Sequence, residues 1–312
     1  MIEVITLSKQ YGDVAALRGV SFKIDRGDIF GFIGPNGAGK TTTIKILATL
    51  VKPTGGDARI CGESIHGDTR KIRTAIGYMP DSFGVYEEMR VDEYLEFFAA
   101  AYGLPAARRR TVVADILKLV DLAGIADRLV GQLSRGTQQR LGLARVLVHD
   151  PQVLLLDEPA SGLDPRARIE IRELIKELGR MGKTVLVSSH ILSDLADICN
   201  KVGLIEKGRL VFTGTLAELA AKTRTRRVVL VAVEEGPERA REALQGCPAV
   251  ESVEAPEGAG GTLKATLRDD PAATPSAVAE ALVKAGLRLS LLQEEKSDLE
   301  DAFMQMTKGI VS

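Results

Sequence analysis

Cysteine and histidine are scarce, with three of each in 312 residues. Cys61, Cys199 and Cys247 are scattered and odd in number, which fits neither a disulfide framework nor paired metal spacing. They read as core or incidental thiols in a reducing compartment. His66, His149 and His190 stand too far apart to suggest a metal site, so a zinc-type cofactor is not expected. Net charge is nearly absent as well. At -1 the chain has no overall positive field to recruit nucleic acid or acidic lipid. The two basic clusters, Arg108 to Arg110 and the stretch with Lys222, Arg224, Arg226 and Arg227, read as a solvated helix start and a solvated linker. No apolar run approaches the roughly 18 residues of a membrane span, and no secretory leader precedes the alternating opening MIEVITLSKQY. A soluble chain is the expectation.

What is present is ordinary globular composition, 45% hydrophobic and 27% charged, at a length that allows one large domain and a smaller one. From residue 1 to about 223, strands, glycine turns and helices follow one another in α/β alternation. The composition shifts over 224–312. There Arg227–Val233, Ala249–Glu254, Gly261–Leu267 and Leu287–Leu292 read as strands, and Glu238–Gln245 and Ser276–Ala285 as helices. That βαββαβ order is the ferredoxin-like plait, an α+β arrangement. A last amphipathic helix is expected over about Asp298–Met306.

Gly34, Pro35, Asn36, Gly37, Ala38, Gly39, Lys40 and Thr41 fit G-x-x-x-x-G-K-[ST]. The run follows the apolar strand Asp28–Ile33 and leads into a helix over Thr42–Leu50, the context that a phosphate-binding loop requires. Glycines let backbone N–H groups converge on phosphate oxygens. Lys40 adds a point charge to the β and γ phosphates, the Thr41 hydroxyl is placed to ligate Mg2+, and the helix start, where Thr42 sits, brings its positive dipole end. A second cluster supports this. Val153–Leu156 is a wholly apolar strand that ends in Asp157 and Glu158, and ligand sites lie beyond the carboxyl ends of such buried parallel strands. Asp157 is expected to hold Mg2+ through its water shell and Glu158 to orient and polarise an attacking water. The cofactors implied are ATP and Mg2+, and the fold class is that of a P-loop NTPase.

Leu133-Ser134-Arg135-Gly136-Thr137-Gln138-Gln139-Arg140-Leu141 resembles the LSGGQ signature of ABC ATPases. Ser161-Gly162-Leu163-Asp164 looks like that family's D-loop, and Ser188-Ser189-His190 after an apolar strand resembles its switch histidine. Five motifs in family order over residues 1 to about 214 carry the resemblance. It implies a helical signature subdomain at about 85–150 and a homodimer in which two chains meet head to tail. Each ATP then sits between one chain's phosphate loop and Ser134 and Gly136 of the other. His190 would hold the γ-phosphate, Asp164 belongs to the nucleotide-binding set, and Tyr11 matches the aromatic that stacks on adenine. Three positions depart from the family pattern. Arg135 replaces a glycine, so that position must tolerate ordinary backbone angles; Thr137 replaces a glutamine. Asp81 stands where the Q-loop glutamine is usual, and a carboxylate there can ligate Mg2+ but cannot donate a hydrogen bond to water.

Seven of the thirteen aromatics fall between Tyr78 and Tyr102. Tyr94, Phe97, Phe98 and Tyr102 share one helical face, which reads as core of the helical subdomain, with an interface as the competing reading. Phe83, Val85 and Tyr86 sit in a loop that, in ABC transporters, lines the groove for a membrane subunit's coupling helix. As a whole the chain resembles separately encoded ATP-binding subunits of ABC-2 type exporters, including the ending Asp298 to Phe303. The resemblance implies an ATPase on the cytoplasmic face of the cell membrane, held there peripherally by integral membrane permease subunits and without nucleic acid as partner. The other reading is a soluble ABC-type ATPase acting on ribosome or DNA. A kinase is disfavoured by the signature and Glu158.

Overall fold

The computed structural model describes residues 1–222, 228–255, 261–268 and 270–295, and the chain divides into two compact units, Met1–Glu218 and Leu219–Ser312. The first unit begins with alternation. In β1 (Ile2–Tyr11) and β2 (Val14–Ile24) the residues Ile2, Val4, Val20, Phe22 and Ile24 point inward. The expected period-2 pattern would next bury Thr6, but Thr6 takes φ +43° and the register shifts, so Leu7 is buried instead. That is a β-bulge correcting the face of the strand. β4 (Gly55–Ile60) and β5 (Glu63–Ser64) complete an antiparallel sheet in the order β2-β1-β4-β5.

The second sheet holds the continuous apolar runs: β3 (Ile29–Ile33), β6 (Ile76–Met79), β7 (Val153–Leu156), β8 (Thr184–Ser189) and β9 (Lys201–Glu206), with β10 (Arg209–Gly214) as an antiparallel edge. Its order is β10-β9-β3-β8-β7-β6, with β9 to β6 mutually parallel. Apolar strands of this kind need cover on both faces. Part of that cover is the first sheet: Phe22 from β2 stacks on Phe30 at 5.2 Å and meets Phe32 at 5.4 Å between ring centroids. Helices α1 (Lys40–Leu47), α2 (Thr69–Ala75), α6 (Pro165–Arg180) and α7 (Ser193–Ala196) belong to the same unit. α6 buries Ile171, Leu174, Ile175 and Leu178, one face of a 3.6-residue period.

Three helices stand between β6 and β7 in sequence: α3 (Val91–Ala101), α4 (Ala106–Leu119) and α5 (Arg135–Leu147). The face of α3 that the aromatic spacing singles out is only partly core. Val91, Tyr94, Leu95 and Ala99 are buried, whereas Phe97 and Tyr102 remain 45% exposed. The short apolar residues, not the aromatics alone, set the buried stripe. Phe97 instead meets exposed Tyr86 edge-on at 5.6 Å, while Arg145 of α5 lies over Phe83 and Phe98 and bonds the Tyr94 hydroxyl.

After α8 (Leu216–Lys222), in which the division falls, the second unit holds β11 (Val228–Val233), α9 (Pro237–Gln245), β12 (Val250–Glu254), β13 (Leu263–Leu267), α10 (Pro275–Lys284) and β14 (Leu289–Glu295). The sheet order is β12-β13-β11-β14, antiparallel throughout, which is a ferredoxin-like plait. Val229, Val231, Leu263 and Ala265 from one sheet face meet Leu244, Val278 and Leu282 from the helices. The helix expected over Asp298–Met306 lies outside the described residues. Among the described residues, no helix is long and apolar enough to cross a membrane.

Candidate functional site

β3 delivers the chain to the phosphate loop at the carboxyl ends of the parallel strands, and α1 starts at Lys40, two residues earlier than the sequence suggests. Gly39 caps the helix at φ +111°, where an added Cβ would lie 2.7 Å from Leu17 and 2.8 Å from the Ala16 carbonyl, so only glycine fits. No side chain caps this helix start, which leaves its first N–H groups directed at the cavity in front of it. That cavity, of about 200 Å³, is lined by the loop from Pro35 to Thr42 together with Ala16, Asp81 and Glu158. It therefore brings together Asn36, Gly37, Ala38, Gly39, Lys40, Thr41 and Thr42 of the loop with two of the acidic residues marked out in the sequence.

Lys40 is 5% exposed, and its ammonium donates to the Gly34 carbonyl at 2.6 Å and the Pro35 carbonyl at 3.3 Å. It also pairs with Glu158 Oε1 at 3.2 Å. The second Glu158 oxygen lies 2.9 Å from His190 Nδ1. A carboxylate only accepts, so Nδ1 carries the hydrogen of this contact. Glu158 takes φ +49°, a left-handed conformation rare for a residue with a side chain, which fixes its aim between the lysine and the histidine. Its backbone N–H donates to Ser188 Oγ at 2.9 Å.

Asp157 is 1% exposed and accepts from Ser188 Oγ at 2.7 Å and from the Thr41 hydroxyl. Burial raises its pKa; the two hydroxyl bonds pull the other way, and the charges of Glu158 and Asp81 add to the rise. The same surroundings push Tyr78 up to about 12, through burial first and then the negative charges of Asp157 and Asp81. A buried carboxylate beside a hydroxyl, with its charge disfavoured, is a donor set that suits a hard divalent cation. Among the described residues no three His, Cys, Asp or Glu side chains converge on one point. A cation here would take Thr41 and Asp157 from the protein and its remaining oxygens from phosphate and water.

Ser188 was not marked out by the sequence. β8 runs on through Ser189, beyond the Val187 end expected, and its parallel register beside β7 pairs Leu156 with Val187, which sets Ser188 next to Asp157. A hydroxyl one residue past a strand register is a signal that only the pairing reveals.

The remaining residues, Asp81 excepted, lie apart from this cavity. Tyr11 ends β1 with 46% of its surface exposed and the Lys9 ammonium 4.7 Å over its ring, so it is a surface aromatic and not a core one. Ser134 is the N-cap of α5, accepting from the Thr137 N–H and sharing a 2.8 Å contact with the Thr137 hydroxyl. Arg135 is the first helical residue, where ordinary angles suffice and a glycine is not required. Gly136 faces α6 closely: an added Cβ would lie 2.8 Å from that of Ala167. Asp164 caps α6 by accepting from the N–H groups of Arg166 and Ala167, both at 3.0 Å. Asp81 is exposed at the cavity rim.

With this geometry the comparisons are decisive. Residues 17–161 match the model of the ABC transporter family. The Nod factor export ATP-binding protein I of Ralstonia nicotianae is 36% identical over 98% of this chain and 94% of its own length. The chain belongs to the ABC transporter family. The probable multidrug ABC transporter ATP-binding protein YbhF of Escherichia coli is 39% identical over 72% of the chain, but the match spans only 38% of YbhF. Among solved structures, a dimeric post-hydrolysis state of the ATP-binding cassette MJ0796 with ADP and phosphate covers 69% of this chain and 99% of its own, at TM-score 0.63 and 27% identity. The first unit of this ABC protein is thus an ATP-binding cassette.

Proposed function

We propose that the chain is the ATP-hydrolysing subunit of a membrane ABC exporter, driven by ATP-dependent dimerisation of two copies. One observation carries this most. Glu158 is held at a fixed aim by Lys40 and His190 at the phosphate loop, while Ser134 and Gly136 do not line that loop's own cavity. A second copy, placed head to tail, supplies them. ATP binds with its phosphates on the loop from Asn36 to Thr42, and Tyr11 stacks on the adenine. Lys40 leaves Glu158 for the phosphates, Glu158 takes the proton of the attacking water, and His190 senses the γ-phosphate. Partner hydroxyl and N–H donors at Ser134 and Gly136 stabilise the charge that develops on the transferred phosphoryl group. Thr41, with Asp157 through water and Asp81 as a further candidate ligand, would hold Mg2+, which would supply charge neutralisation for the β and γ phosphates. Asp164 orders the D-loop by capping α6.

Residues 1–223 form the ATP-binding domain and 224–312 an accessory domain for dimerisation or regulation. The exposed pair Tyr86 and Phe97 supports a seat here for a permease helix, with the subunit held peripherally on the cytoplasmic face of the membrane. The relatives named for Nod factor export and multidrug transport support the direction, outward. The test is to trap a tagged Glu158→Gln chain with Mg-ATP, purify it from detergent-solubilised membranes and identify what accompanies it. A multispanning protein in about equal amount supports the transporter; ribosomes or DNA in its place, with the dimer intact, overturns it and keeps the ATPase.

A further inference from the structure

Arginine replaces glycine at position 135, and its guanidinium is not idle. It lies flat against Gly162 of the D-loop: a Cβ built there would sit 2.6 Å from Nη1, 2.7 Å from Cζ and 2.8 Å from Nη2. Gly162 at φ +65° leaves the space that the guanidinium fills. No carboxylate lies within ion-pair range of Arg135 among the described residues. The next residue, Leu163, is buried and its carbonyl accepts from Arg168 Nη2 at 3.5 Å. Arg168 Nη1 in turn lies 3.5 Å from Asp194 Oδ1, and its Nε is buried without a partner. Asp194 belongs to α7, the turn that follows His190.

We infer that Arg135 and Arg168 act as positioning residues that connect the signature helix to His190 of the same chain through the D-loop. Three features make the connection mechanical. The segment from Glu158 to Asp164 is short, closed by the Ser161 N–H bond to the Glu158 carbonyl at 3.0 Å, and set at both Glu158 and Gly162 in left-handed conformations. Such a segment moves as a unit. Arg168 and Asp194 are only 32% and 14% exposed, so solvent screens their pairing less than a surface pair. A cavity of about 150 Å³, bordered by Glu158, Gly162, Arg168, His190 and Asp194, lies beside them and gives the loop room to shift without overpacking. The inference rests on the head-to-tail dimer proposed above. When the partner's ATP engages Ser134 and Gly136, any displacement of the α5 start presses through Arg135 on Gly162. Through Leu163, Arg168 and Asp194 it reaches α7, whose Asp194 lies four residues from the histidine that pairs with Glu158. Occupation of one site thereby sets the other. A glycine at position 135 has no side chain with which to make the first contact.

The test uses the full chain, with phosphate release measured against ATP concentration. The unaltered protein should show positive cooperativity, with a Hill coefficient between about 1 and the limit of about 2 set by two sites. Arg135→Gly, Arg168→Met and Asp194→Asn should each lower kcat roughly 2- to 30-fold and bring the Hill coefficient towards about 1. Nucleotide affinity of the monomer should stay within about twofold. The decisive readout is the double variant Arg168→Met with Asp194→Asn: members of one connection give a loss no larger than either alone, whereas independent structural roles add. Where Arg168→Met does not fold, Arg168→Lys serves, since its single ammonium cannot hold the Leu163 carbonyl and Asp194 together. Additive losses, or an unchanged Hill coefficient in Arg135→Gly, overturn the inference. The same variants in a Glu158→Gln background report the ATP-dependent dimer. A dimer without the predicted loss of cooperativity refutes the connection alone; no dimer even with Arg135, Arg168 and Asp194 intact refutes the head-to-tail reading and the connection with it.

Discussion

Replacing Glu158 by glutamine should move two quantities in opposite directions. Turnover should fall by about 10²–10⁴-fold, the span for loss of a general base, because an amide cannot take the proton of the attacking water. Affinity for ATP should rise. Lys40 pairs with Glu158 Oε1 at 3.2 Å, with the lysine 5% and the carboxylate 13% exposed. ATP must draw the ammonium away from that carboxylate before the β and γ phosphates can use it. The contact is an ion pair outside hydrogen-bond geometry, since Glu158 Oε1 has no hydrogen-bond partner; its worth is about 1 kcal/mol, the upper end for such pairs, and each 1.4 kcal/mol is about tenfold in affinity. The glutamine chain should therefore bind ATP roughly fivefold more tightly. Lys40 keeps the Gly34 and Pro35 carbonyls in either chain, so these cancel. Removing the repulsion between Glu158 and the γ-phosphate acts in the same direction.

The substitution has a cost that the same geometry specifies. A buried ammonium that loses its counter-charge destabilises the empty protein. The ATP-free glutamine chain should melt below the parent, and ATP should raise its melting temperature by more. The affinity assay is an equilibrium titration with a fluorescent ATP analogue in the presence of EDTA, where neither chain turns over. Phosphate release with Mg2+ restored gives the rate. Affinity equal to or weaker than the parent's refutes the idea that the Lys40–Glu158 pair competes with nucleotide. Retained turnover removes Glu158 from the role of base.

Ser134→Ala should leave ATP binding by the monomer intact and abolish the ATP-dependent dimer on gel filtration; an intact dimer removes Ser134 from the partner's site. Asp81→Ala should weaken the Mg2+ dependence of turnover, and a rate and metal titration that both match the parent would make Asp81 a bystander. Burial lowers the pKa of His149, whose Nε2 lies 2.9 Å from the Ile76 carbonyl and whose ring stacks on Tyr102 at 3.8 Å. The unfolded chain then binds the proton more readily than the folded one, so this group's share of stability is present at pH above the ordinary histidine value and is lost as pH falls from there towards the lowered one. Melting temperatures should drop from pH 7 to pH 5 less steeply in His149→Gln, and equal slopes would refute the assignment.

Most of the phosphate side of the site was legible in the sequence because its requirements are local. A glycine that must adopt φ +111°, a lysine one residue on and an apolar strand before them lie within a dozen residues, so spacing alone recovers Gly39, Lys40 and Thr41. The plait was legible for a similar reason: alternation marked its strands to within a few residues, and their order then follows from the connections. What escaped depends on pairing between distant segments. Ser188 acquires its bond to Asp157 from the register of β7 and β8, which no spacing encodes. The shift at Thr6 swaps the face of β1 through one backbone angle.

The α3 aromatics show the limit of periodicity itself. Spacing placed Tyr94, Phe97, Phe98 and Tyr102 on one face, yet a helix face is wider than the stripe its neighbours can cover. Only Tyr94 of the four is fully buried, and Arg145, reaching over Phe83 and Phe98 from α5, draws the boundary. The same reasoning separates the two kinds of site residue. Lys40, buried, and Glu158, 13% exposed, line one cavity with Asp157 buried beside them, and their mutual geometry is complete in a single chain. Ser134 and Tyr11 are exposed, and their partners within the chain, Thr137 and Lys9, account for only part of their surfaces. The proposed head-to-tail dimer calls for that division: Lys40, Asp157 and Glu158 serve the phosphates within one chain, and exposed Ser134 stays accessible until a partner arrives.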